Sequence, residues 1–386
     1  MVRWLEGAVV LPDRVVEHGL VAVDGGRIAG VWDLNASPRP EGSTESNTTR
    51  LETGYISPGF IDIHIHGGGG GDFMDADPEA VAAITEAHGR HGTTGMLCTT
   101  LTASEEDIIK AIRAAKAAPR RGARIIGFHV EGPFINIKLK GAQNGEFVRQ
   151  GTAAEVDRIM AEGRPGDVWH FTIAPDVPGH LDVIRHMAAK GAVVSAGHTE
   201  ATYDQMAAAA EAGVRHATHL YNAMRGLHHR EPGTVGAALT LPNMTVELIA
   251  DGFHIHPASL QVAVAARGAD RVILVSDAMR ATGLPDGQYS LGVLPVWVKD
   301  GQCRLADGTI ASSVLTMNRA VKNMVELVGV SLPEAVAMAS LNVARLYGLP
   351  KGAVAPGLDA DLVLLDTDLN VLETIVGGET VYKHHP

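Results

Sequence analysis

Residues 58–70 read PGFIDIHIHGGGG, an apolar run that ends in His64-x-His66 and is stopped by glycines. Seven further apolar runs of similar length follow: Gly95 to Thr100, Ile125 to Glu131, His170 to Pro175, Ala192 to His198, His216 to Leu220, Val246 to Asp251 and Val272 to Asp277. Each is followed by turn residues and an amphipathic segment, so strand and helix alternate. Helix-start signals fall between them, with Asp77 before Pro78 and boxes of the S/T-x-x-E/Q type at Thr152/Glu155, Thr202/Gln205 and Ser331/Glu334. Near-continuous apolar strands separated by helices predict a parallel sheet covered on its outer face, and eight such units match a (β/α)8 barrel. The barrel is expected over residues 56–354, with a β-hairpin insertion at about 286–312 whose turns are Asp300-Gly301 and Asp307-Gly308.

Outside this region the pattern changes. From Ala8 to Trp32 short apolar runs flank turns such as Asp24-Gly25-Gly26, and short strands return between Lys351 and Lys383 around Gly377-Gly378. Residues 1–55 and 355–386 are therefore expected to pair into one small β-sandwich domain, so the fold class is α/β, a TIM-like barrel with a small domain built from both chain ends. Residues Ala36 to Arg50, with almost no large apolar side chain, read as a surface loop.

Composition narrows the function. A formal charge of −12 without a Lys/Arg cluster disfavours nucleic acid or an anionic membrane as partner, and an anionic substrate would need local positive groups. Two cysteines, Cys98 and Cys303, make a disulfide framework improbable. Glu6 and Asp13 interrupt the first apolar residues as no signal peptide would tolerate, and no apolar run approaches a membrane span. The expectation is a cytoplasmic protein.

The chemistry is carried by position. His64 and His66 end the first strand, Glu131 the third, His198 the fifth, His219 the sixth and Asp277 the eighth. Barrel active sites assemble at these C-terminal tips. In an H-x-H on a strand both imidazoles leave one face and reach one ion. Caps or core hydrogen bonds would not select the same rim repeatedly, so the six residues predict a site for Zn²⁺ or Fe²⁺, one or two ions. Glu131 has two oxygens and can bridge an ion held with His64, His66 and Asp277 to another held with His198 and His219. A cation in such a site lowers the pKa of bound water, which points to amide or ester hydrolysis with Asp277 as the carboxylate that moves the proton. His88 and His91, and the loop pair His228 and His229, are read as structural or solvated.

This ordered set resembles the amidohydrolase superfamily, and the flanking motifs resemble its N-acetylglucosamine-6-phosphate deacetylases. The resemblance covers nearly the whole chain: PGFIDIHIHGGGG (58–70), HVEGPFINIKLKGAQN (129–144), SAGHTEAT (195–202), THLYNAMRGLHHREPG (218–233), IADGFHIHP (249–257), SDAMRATGLPDGQYSLG (276–292) and KGAVAPGLDADLV (351–363). The first and last motifs are shared across the superfamily, whereas the middle ones are specific to the deacetylases. The resemblance implies Glu131, His198 and His219 as principal ligands, a second ion at His64 and His66, and Asp277 as acid/base. It also implies an amino-sugar phosphate substrate held by Ala142, Gln143, Asn222, Ala223, Arg230, His254 and the loop Ile310, Ala311, Ser312. Arg230 would come from the neighbouring subunit of a homodimer and grip the phosphate.

Two departures are visible. Gln143 stands where many relatives carry histidine, and it donates a hydrogen bond but carries no charge. Ser312 stands where the loop usually ends in glycine, and its side chain would narrow the pocket. Rival readings keep the fold and change the substrate, to the galactosamine epimer or an N-acyl amino acid, or remove catalysis and leave a scaffold.

Overall fold

The computed structural model describes residues 2–385. Eight parallel strands form one sheet in chain order: Phe60–Asp62, Thr93–Thr100, Arg124–Glu131, Val168–Ile173, Val193–Ala196, Val214–Ala217, Thr245–Leu248 and Val272–Leu274. Helices flank them, and Phe128, Phe171, Ile173, Val194 and Leu248 are fully or almost fully buried in one core with Ile84, Ile112 and Ile184 of those helices. Each such side chain contributes roughly 1.5–3 kcal/mol on leaving water. Asp77, Thr152, Thr202 and Ser331 all cap helices as read, with their side chains accepting from Glu79, Glu155, Gln205 and Glu334 main-chain N–H groups. Each cap is worth about 1 kcal/mol.

Several strands end earlier than their apolar runs. His198, His219 and Asp277 have left-handed backbone, with φ of 48°, 31° and 47°, so the chain leaves the ladder before it reaches them. Glu131 alone of the rim residues remains in a ladder, opposite Thr172. The first and last strands do not share a ladder. Their seam is closed by a bridge between Ile65 and Ala278, with Asp277 N–H donating to His64 O at 2.8 Å and His66 N–H to Ala278 O at 2.9 Å.

The chain ends build a seven-stranded sheet. It takes Arg3–Val10, Val15–Asp24, Arg27–Asp33 and Thr48–Pro58 from one end and Leu362–Leu365, Val371–Val376 and Glu379–Lys383 from the other. Thr48–Pro58 joins the halves, parallel to the first strand and antiparallel to Leu362–Leu365. The sheet rolls over Leu5, Val21, Ile28, Ile56, Leu362 and Ile375 until its two hairpin turns meet. There a Cβ on Gly26, at φ 80°, would lie 2.9 Å from Gly377 O, which only glycine avoids.

The stretch 36–50, expected as a surface loop, is irregular as far as Thr44 and is tied down at several points. Arg39 pairs with Glu6, Thr44 caps a short turn at Glu45–Asn47, and Thr48, Thr49 and Arg50 pair with Trp4, Leu5 and Glu6. β-Branched Thr48 and Thr49 suit that strand edge although they are not apolar. The insertion is a four-stranded antiparallel sheet, Gly287–Leu291, Leu294–Lys299, Gln302–Arg304 and Ile310–Ser313. Leu291, Val296, Cys303 and Ala311 pack against Leu101 and Met279, and Gly292 N–H donates to Asp72 at 2.8 Å, which fixes this sheet over the barrel mouth. No helix among the described residues is long and apolar enough to cross a membrane.

Candidate metal centre and active site

All six rim residues converge on the barrel mouth in two groups, His64, His66 and Asp277 in one and Glu131, His198 and His219 in the other. Glu131 Oε1 lies 3.1 Å from both His198 Nε2 and His219 Nε2, and these two nitrogens are 3.1 Å apart. Tetrahedral bonds of about 2.0–2.1 Å have ligand-to-ligand edges of about 3.3 Å, so this triangle has the size of a ligand face. The other group is slightly looser: Asp277 Oδ1 is 3.3 Å from His66 Nε2 and 3.7 Å from His64 Nε2. Glu131 spans both, with Oε1 3.3 Å from His64 Nε2 and Oε2 3.2 Å from His66 Nε2.

The donor set fits divalent cations. His64 Nε2 is buried without a hydrogen-bond partner among the described residues, although carboxylate oxygens surround it. His198 Nδ1–H donates to Leu139 O at 2.8 Å, which turns its Nε2 lone pair toward the centre. Burial alone would raise the Glu131 carboxyl, yet His64, His198 and His219 hold it well below the usual range. Burial likewise opposes ionisation of Asp277, and His64 and His66 outweigh it. Both carboxylates are thus held as acceptors.

A cavity of about 340 Å³ opens on this centre. Ala142, Gln143, Asn222, Ala223, His254, Ile310 and Ser312 line it together with His66, Glu131, His198, His219 and Asp277. Gln143 Nε2 donates to Glu131 Oε2 at 2.6 Å, and its Oε1 accepts from Thr102 N–H at 2.7 Å. His254 Nδ1–H donates to Asp251 at 2.7 Å, and although burial opposes its protonation, Asp251 raises its pKa. Ser312, at φ 63°, donates to the Asp277 main-chain oxygen. Ala311 is not in the lining: it is fully buried among the apolar residues of the insertion. Arg230 is exposed, beside His229 at 2.8 Å, and does not line the cavity of its own chain.

Residues 55–381 match the amidohydrolase family. The chain belongs to it. A Bacillus subtilis protein named N-acetylglucosamine-6-phosphate deacetylase is 37% identical over 97% of this chain and 96% of its own length. An N-acetylgalactosamine-6-phosphate deacetylase of Escherichia coli O157:H7 is 38% identical over 86% of this chain and 89% of its own. Among solved structures, a mutant N-acetyl-D-glucosamine-6-phosphate deacetylase of Mycobacterium smegmatis in complex with N-acetyl-D-glucosamine 6-phosphate superimposes with TM-score 0.91. It is 35% identical and covers 99% of this chain and 100% of its own.

In this amidohydrolase the barrel interior carries a buried polar layer that the strand-tip pattern does not announce. His129, His170, His216, Glu247, Thr172 and Thr218 are fully buried. His129 Nε2 lies 2.8 Å from Thr172 Oγ1, and Thr172 2.8 Å from Thr218. The signal for Glu247 was its carboxylate in the apolar run VELIA (246–250). His88, read as structural, is buried with its Nε2–H on Gly67 O at 2.9 Å.

Proposed function

We propose that this enzyme hydrolyses the acetamide of N-acetyl-D-glucosamine 6-phosphate to acetate and D-glucosamine 6-phosphate. The observation that carries the reading is Asp277: a carboxylate held ionised, within 3.7 Å of both H-x-H imidazoles, on the wall of a sugar-sized cavity. Near-full-length relatives named for this reaction support it. One or two divalent cations per subunit, Zn²⁺ by preference or Fe²⁺, would be held by His64, His66, Glu131, His198, His219 and Asp277, and would polarise the acetyl carbonyl and acidify water.

The remaining work falls to side chains. Asp277 accepts the proton of the attacking water and returns it to the leaving nitrogen, so the C–N bond breaks as an amine departs. The new C–O bond leaves acetate. Gln143 commits one amide hydrogen to Glu131 and keeps the other for substrate. His254, held by Asp251, presents a second donor. The cavity lining contains one Lys or Arg side chain, Lys138, which also pairs with Glu200 at 3.1 Å. The resemblance of the HHREPG motif to the deacetylases assigns exposed Arg230 to the substrate phosphate bound in the neighbouring subunit of a homodimer. Buried, unbridged Cys98 and Cys303 suit a reducing cytoplasm.

Acetate release from N-acetylglucosamine 6-phosphate by metal-loaded protein, with chelated protein as control, tests the proposal. Metal-dependent release is expected; none from a protein that binds metal would overturn the substrate. A second reading, the galactosamine epimer, is supported by the Escherichia coli O157:H7 relative, 38% identical over 86% of this chain. A larger kcat/KM on the galactosamine compound would select it.

A further inference from the structure

Glu247 lies fully buried beneath the centre, with both carboxylate oxygens committed. Its Oε2 accepts from His64 Nδ1–H at 2.9 Å and from the main-chain N–H of His219 at 2.9 Å. Its Oε1 accepts from His216 Nε2–H at 3.1 Å.

We infer that Glu247 is a positioning residue of the metal centre: it fixes the tautomer and ring angle of His64 and so governs the ion held with His66 and Asp277. The inference rests on the reading of the rim as a two-ion centre. Oε2 already accepts from a main-chain N–H, which can only donate, so this shared oxygen faces His64 as an acceptor and the His64 proton sits on Nδ1. Its Nε2 lone pair then faces Glu131 and Asp277. A histidine ligand without such a partner loses ring orientation and basicity, and loss of such a partner typically weakens metal about 10–100-fold. His66 lacks this support, since its Nδ1 is buried with no partner among the described residues. Within the H-x-H pair, orientation is therefore imposed through His64. His219 touches Glu247 through its backbone, a bond that any acceptor at that position preserves, whereas the charge that draws the His64 proton belongs to the carboxylate.

The test is zinc content per subunit after equilibration of the full protein against graded chelator. Glu247→Gln keeps the shape and one acceptor. It is expected to lose one ion at about tenfold lower chelator than wild type and to keep the other within about twofold. Glu247→Leu fills the space but accepts nothing, so it also frees the His219 amide; it should weaken the same ion by about 100-fold and the other by less. Adding Glu247→Gln to His66→Ala should cause no further loss. Wild-type retention of both ions in the glutamine variant overturns the inference, and so does proportional loss of both, which would mark general structural damage. If the leucine variant does not fold, the glutamine variant and its combination with His66→Ala still decide. Wild-type protein with fewer than two ions would instead refute the two-ion reading itself, and is recognised before any variant is compared.

Discussion

Asp277 carries the proposed acid/base role and faces both imidazoles of the H-x-H pair. Replacement by alanine removes the group proposed to move the proton, and general acid–base catalysis of this kind is worth about 10²–10⁴-fold. Asp277→Ala is expected to lower kcat by roughly 10³-fold with its circular dichroism spectrum unchanged; retained turnover would refute the assignment. Ser312 offers a finer probe. Its φ of 63° costs a non-glycine residue about 1 kcal/mol, and its hydroxyl donates to the Asp277 main-chain oxygen. Ser312→Gly relieves the first and loses the second, so stability should stay within about 1 kcal/mol while kcat falls as Asp277 loosens, and urea midpoints with steady-state kinetics check both. The rim residues were legible because each is a metal-competent group at the end of an apolar run. Glu247 was not, because its one signal, a carboxylate inside the apolar run VELIA, names no partner, and His64, His216 and His219 come together only across strands.

The helix Pro78–Gly89 shows how one element carries a pH dependence. Burial pushes His88 down from the ordinary 6.5 to about 4, against the pull of Gly67 O. In the unfolded chain the imidazole takes its proton near 6.5; in the fold it waits until about 4. Its contribution is whole above 6.5 and is lost as pH falls toward 4, amounting to about 2 kcal/mol by pH 5. Unfolding midpoints in urea at pH 7.5 and pH 5 should therefore differ less in His88→Gln than in wild type, and equal slopes would refute the account. Element centres were readable because apolar runs make buried strands, as at Met96 to Cys98 or Phe128 to Val130. Element ends were not: at His198, His219 and Asp277 the backbone turns left-handed while the apolar pattern continues.

At the scale of the whole molecule, alternation of strand and helix was enough to expect the barrel. The rolling of the end-built sheet was hidden, since its junction strand begins in the polar residues Thr48 to Arg50. The proposed ligands stand at the ends of five barrel strands, so ion binding there would be linked to folding. A ligand at 1,000 times its Kd adds about 4 kcal/mol to stability. Chelation is expected to lower Tm by several degrees and zinc to restore it, as scanning calorimetry would record. The seam between the first and last strands gives this linkage an address. His64 and His66 stand on one side of it and Asp277 on the other, where one β-bridge and a few hydrogen bonds replace a full ladder. A cation held there would work as a clasp on the staves of a cask: the amides of His66 and Asp277 should exchange with deuterium slowly while it is fastened and rapidly once it is released.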